Sequence, residues 1–190
     1  MIRTSRVVAV VLVLAAGSYA FGRWTPAPAA VSAHPAAAAA PPIFVWIQPV
    51  SALPGWSPRD VDQVERAFGA WSGIVPDVRF AFTDDSADAA VRVTWIDRFD
   101  QPMTGESRVA RDTDGTVTDA SVLLAVHHPD GRQVYGDALR ALAMHEVGHL
   151  LGLAHSDDPR SIMAPVVRVR VLSPGDSAAL RRTESVEGRD

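Results

Sequence analysis

The chain has 190 residues, 47% hydrophobic and 21% charged, which suits one globular domain with an appendage and leaves no room for two ordinary domains. Its net charge of −4, with arginine supplying every basic side chain, carries no electrostatic footprint for nucleic acid as a primary partner. With no cysteine, disulfides, thiol catalysis and thiolate-bound metals are excluded, so a transition metal can be held only by imidazole and carboxylate.

The N-terminus carries Arg3 and Arg6, then an apolar run from Val7 to Phe21. That run falls short of the roughly 20 residues a spanning helix needs, and Ser18-Tyr19-Ala20 offers a small-x-small cleavage site. Residues 1–20 are therefore expected to be a signal peptide or, uncleaved, a membrane anchor, which makes the protein secreted or extracytoplasmic. Residues 21–42, rich in alanine and proline and containing His34, read as a linker. The globular domain is expected over 43–183, followed by a disordered polar tail at 184–190.

Within that domain a β-rich apolar strand is expected from Ile43 to Gln48. Ser57-Pro58 opens a helix in which Val61, Val64, Ala67, Phe68 and Trp71 share one face. Strands follow at Val78 to Phe82 and Ala90 to Ile96. Val109-Ala110-Arg111 and Thr116 to Ala125 flank Asp114-Gly115, a dipeptide suited to a hairpin turn. A long helix is expected from Asp137 to Leu151, and a short one, opened by Ser173, from about Pro174 to Arg182. Strands early and the long helix late predict an α+β domain.

The chemistry concentrates in His145-Glu146-Val147-Gly148-His149-Leu150-Leu151-Gly152-Leu153-Ala154-His155. On a helix His145 and His149 lie one turn apart on one face, so two imidazoles can converge on one ion. Glu146 is offset by one position, beside the metal, where it can accept a proton from an attacking water. Gly152 lets the chain leave the helix and return His155 as a third ligand. The surrounding Val147, Leu150, Leu151 and Leu153 imply a largely buried helix, in which imidazoles and a carboxylate without partners would be costly.

This HExxHxxGxxH pattern, followed by Ser156 and by Met163, resembles the metzincin zinc peptidases and, within them, the matrixins or matrix-metalloprotease-like proteins. Ser161-Ile162-Met163-Ala164-Pro165 is similar to the family's methionine turn, and Leu172 to Asp176 to the start of its C-terminal helix. The resemblance implies a metzincin-like α+β domain: a twisted mixed sheet, an active-site helix, a methionine turn and a short C-terminal helix. It implies a zinc endopeptidase with His145, His149 and His155 as ligands, Glu146 as general base and later proton donor, and Met163 as a platform beneath the imidazoles. A peptide or protein substrate would pair with an exposed strand edge at Ser107 to Arg111, touching Val109, Ala110 and Pro165. Ala141, four residues before the first histidine, is expected to leave room for a bulky apolar group after the scissile bond. A monomer is expected. The alternative from another class is a binding module that kept the fold and lost catalysis.

The family's thiolate latency switch cannot operate in a chain without cysteine. The loop between Ile96 and Glu106 has no histidine for a second, structural zinc, so one Zn2+ is expected. Ala164 stands where many matrixins carry tyrosine, and only Asp176 remains of the acidic pair that usually opens the last helix. His127 and His128, before Pro129-Asp130-Gly131, read as solvated loop residues. Asp112, Asp114 and Asp119 fail the calcium-loop spacing; Asp97 and Asp100 are candidate calcium ligands by analogy alone, so structural Ca2+ has no support in the sequence itself.

Overall fold

The computed structural model describes residues 41–75, 78–113, 115 and 117–187, with side chains to residue 183. The expected signal segment 1–20 and nearly all of the expected linker lie outside the described residues. Five strands, β1 (Ile43–Ile47), β2 (Phe80–Phe82), β3 (Val91–Ile96), β4 (Gly105–Arg111) and β5 (Val117–Ala125), join α1 (Pro58–Trp71), α2 (Gly136–Leu150) and α3 (Pro174–Glu187).

The strands form one mixed sheet in the order β2-β1-β3-β5-β4. β1 runs parallel to both β2 and β3, β3 runs parallel to β5, and only β4 is antiparallel, paired with β5. The fold is thus α+β with a mixed sheet, although α1 connects two parallel neighbours as a crossover, which the strands-first reading did not anticipate. Alternation makes β3 bury Val91, Val93 and Trp95 while Arg92, Thr94 and Ile96 stay half-exposed. α1 buries Val64, Ala67, Phe68 and Trp71, which are the spacings expected of its apolar face.

Helix α2 is buried on nearly every side, through Leu139, Ala141, Leu142, Met144, Val147 and Leu150 among others. It packs on α1, where the Trp71 indole N–H donates to the Met144 carbonyl at 2.9 Å. This bond satisfies the polar tip of a fully buried tryptophan. α3 runs to Glu187, past the expected end at Arg182, so residues 184–187 continue a helix where a disordered tail was expected. Residues 188–190 lie outside the described residues. Two consequences matter for function: α2 is clamped between α1 and the sheet, and β4 leaves one strand edge unpaired beside it.

Candidate metal centre and cleft

His145 and His149 project from one face of α2, and the chain then turns at Gly152, whose φ is +85°. That left-handed value favours glycine over any residue with a Cβ. The turn returns His155, and one ring nitrogen from each of the three histidines lies within 4.8 Å of the others. Beyond the turn, the Ser156 N–H donates to the Met163 carbonyl at 2.9 Å, closing the returning chain onto the segment that carries Met163.

The tautomers follow from the hydrogen bonds. His145 Nδ1 is 2.8 Å from the Ile162 carbonyl and His149 Nδ1 is 2.8 Å from the Leu153 carbonyl. Carbonyls only accept, so both Nδ1 atoms carry the hydrogen and both Nε2 atoms present lone pairs. These two Nε2 atoms face each other at 3.1 Å. Two lone pairs at that distance repel unless a cation lies between them, and carbonyl-oriented imidazoles are the usual support of metal ligands. The donor set therefore fits a divalent cation that accepts nitrogen. Burial, partly opposed by the Ile162 carbonyl and reinforced by His149 and His155, pushes the His145 imidazole down to about 4. Burial likewise lowers His149. Both are neutral at physiological pH, the form in which imidazole binds metal.

Glu146 is 4% exposed. Burial raises its carboxyl to about 7; the Ser107 hydroxyl, hydrogen-bonded to it, opposes the rise, and the Glu106 carboxylate adds to it. The side chain lies flat on the backbone of β4. A Cβ at Gly105 would fall 2.9 Å from Glu146 Cγ and Cδ, and nearer still to Oε1. Glycine within a strand often marks such a close approach. A second glycine works similarly beneath the helix: a Cβ at Gly148 would stand 3.0 Å from Met163 Cε, closer to its sulfur, and 3.2 Å from Trp71 Cζ2. Met163, 2% exposed, thus packs its thioether against α2 one residue before His149.

The methionine turn is anchored by Asp176 at the start of α3. Its carboxylate accepts from the Ser161 hydroxyl, from the Ile162 N–H at 3.2 Å and from the Ser173 N–H at 2.7 Å. The Asp176 N–H donates back to Ser173 Oγ at 3.1 Å, completing a capping box. Burial acts to raise this carboxyl, but the hydrogen bonds outweigh it and hold it below its ordinary 3.8. A depressed folded-state value stabilises the fold above pH 3.8, and that contribution disappears as the pH falls through the folded value. Asp176→Ala is expected to cost about 2 kcal/mol in urea unfolding at pH 6. The gap between variant and wild type should narrow as the pH drops below 3.8; a gap independent of pH would contradict the role of this charge.

A cleft of about 870 Å³ runs over the three histidines and Glu146. Gly105, Glu106, Ser107 and Val109 of β4 form one wall, and Pro165, Val166 and Val167 form another. Val109 and Pro165, which the resemblance implies would touch a substrate, both line this cleft. Ala110 does not line the cleft; it is exposed on β4. Ala141 is fully buried in the core, and Ala138 and Leu142 line the cleft in its place. The cause is rotation, because adjacent positions on a helix differ by about 100° and α2 turns Ala141 inward. His127 departs from the solvated reading: its Nδ1 is 2.8 Å from Asp97 Oδ1, and its side chain is 16% exposed. His128 lines the cleft. Asp97, one of the two aspartates named for calcium by analogy, uses one carboxylate oxygen with His127 and the other with Arg98.

Among similar proteins, the family model described as Matrixin matches residues 55–181. Metalloendoproteinase 4-MMP of Arabidopsis thaliana is 31% identical over 126 residues, covering 62% of this chain and 36% of the relative. Matrilysin of Felis catus is 43% identical over 65 residues, covering 32% and 23% respectively. Metalloendoproteinase 1-MMP of Arabidopsis thaliana is 28% identical over 132 residues, covering 59% and 33%. The chain spans about a third or less of the length of these curated relatives. With the family match extending from before α1 into α3, across the histidine cluster and the methionine turn, the chain belongs to the matrixin family.

Proposed function

We propose that the chain is a zinc-dependent endopeptidase in which His145, His149 and His155 hold one Zn2+ and Glu146 is the general base. The observation that carries this reading is the pair of hydrogen-free Nε2 atoms facing each other at 3.1 Å, with a buried carboxylate one residue along the same helix. Membership of a family of zinc peptidases supports it, as do two relatives named metalloendoproteinases. When bound, the zinc ion acidifies water and polarises the scissile carbonyl.

The protein's own groups do the rest. Glu146 Oε1 or Oε2 accepts the proton of the attacking water and later delivers it to the leaving amine. Met163 and Gly148 fix the height of the helix beneath the imidazoles. The unpaired edge of β4 offers main-chain donors and acceptors to an extended peptide, and Val109 and Pro165 contact it from opposite walls. Ala138, Leu142 and Val134 supply an apolar recess for a bulky side chain after the cut, the room that Ala141 was expected to leave.

Secretion through residues 1–20, or tethering by them, belongs to the same proposal and rests on the sequence pattern alone. Among the described residues no helix is long and apolar enough to cross a membrane. The test is an assay of the full chain on quenched-fluorescent peptides. Chelation is expected to abolish hydrolysis, about one equivalent of Zn2+ to restore it, and a library profile to favour bulky apolar residues after the cut. Undiminished turnover by metal-free protein would sink the proposal.

A further inference from the structure

The last turn of α2 accounts for its carbonyls one by one. Val147 O accepts the Leu151 N–H at 3.0 Å, Gly148 O accepts the Leu153 N–H at 3.0 Å, and His149 O accepts the Gly152 N–H at 3.0 Å. With Gly152 in the left-handed region, this is the Schellman way of closing a helix. The Leu150 carbonyl takes none of these bonds. Arg111, at the end of β4, supplies the missing donor: its Nη2 lies 2.5 Å from Leu150 O. Its Nη1 donates to the Gly115 carbonyl at 2.7 Å, so one guanidinium fork joins the β4–β5 turn to the helix end. The strand register shifts between Ala110 and Arg111, the kind of irregularity that re-aims a side chain.

Two of the three histidines depend on that helix end. His149 immediately precedes Leu150, and its ring is held by the carbonyl of Leu153, whose own N–H belongs to the Schellman closure. His155 follows two residues after Leu153, its backbone leaving the same closure, and its ring lies against those of His145 and His149, with centroids 5.2 and 4.8 Å away. His145 is anchored separately, through Ile162 in the turn that Asp176 secures. We propose that Arg111 is a positioning residue of the metal site: by closing the end of α2 it keeps His149 and His155 in register with His145. The inference rests on the zinc reading above.

Zinc affinity measured by chelator competition on the purified full chain tests it, comparing wild type with Arg111→Met, Arg111→Lys and Arg92→Met. Arg92 is the control because it pairs with Asp119 on the exposed part of the sheet, away from the cleft. Arg111→Met is expected to weaken zinc binding on the order of 10-fold, the scale of lost support around metal ligands, and Arg111→Lys, which keeps charge without the fork, by less. Arg92→Met should bind as wild type does. Thermal unfolding of the zinc-free proteins separates the roles, since a purely structural arginine lowers the melting temperature and leaves zinc affinity unchanged. Affinities within about twofold of wild type for the folded Arg111 variants would overturn the inference. Should Arg111→Met fail to fold, Arg111→Lys decides by the same criterion. A wild-type protein that binds no zinc refutes the function proposed above, a result distinct from failure of the arginine's role.

Discussion

Glu146→Gln is expected to lower peptide hydrolysis by roughly 10²- to 10⁴-fold, the range of general-base contributions. Zinc content should remain near that of wild type. The amide keeps the volume of the side chain and can still meet the Ser107 hydroxyl, but it cannot take a proton from water. Fold and metal site should therefore survive while the chemistry stops. Steady-state rates with metal content measured by mass spectrometry provide the check. Equal turnover by variant and wild type would remove Glu146 from the mechanism; absent turnover in both would favour a binding module that kept the fold.

Gly105→Ala should do comparable kinetic harm by a different route. The added methyl would stand 2.9 Å from Glu146 Cγ and Cδ, and closer to the carboxylate itself, so the carboxylate must shift. Each of the nearest atoms the methyl would meet belongs to that side chain and none to backbone, so the carboxylate gives way before the strand does. Little change in melting temperature is expected, together with a fall in kcat of about 10²-fold, the size associated with misplacing a reacting group by roughly 1 Å. The combination is diagnostic. A large loss of stability with unchanged kcat would mean that strand and helix had separated while the carboxylate held its position.

Much of this arrangement was legible because it is local. His145, Glu146, His149, Gly152 and His155 fall within eleven consecutive residues, and helix period plus one glycine brings the imidazoles together. The apolar face of α1 was equally readable from Val64, Ala67, Phe68 and Trp71. What escaped requires contacts between distant segments. Gly105 and Glu146 are about forty residues apart, and nothing near Gly105 announces that a carboxylate will lie on it. Arg111 looks like any hairpin arginine until the Leu150 carbonyl is found without a backbone partner.

Direction and rotation were the other blind spots. Alternating burial predicts strands at β1, β2 and β3 without saying that they run parallel, because side-chain period is the same in either sense. Ala141 and Leu142 differ by one position and both are buried, yet only Leu142 also reaches the cleft. The segment from Arg181 to Glu187 has no apolar stripe to advertise a helix, and it continues α3 from the anchored end at Ser173 and Asp176.

The carbonyls of Ile162 and Leu153 have one more consequence, for the cost of capturing an ion. A histidine that must abandon free rotation to become a ligand forfeits about 0.5–1.5 kcal/mol of affinity in lost rotamers. His145 and His149 have given up that freedom already, since each ring is tethered through Nδ1. Under the zinc reading proposed above, those two tethers lower the ordering cost of capturing the ion, in contrast to small zinc domains whose whole chain must fold around the metal.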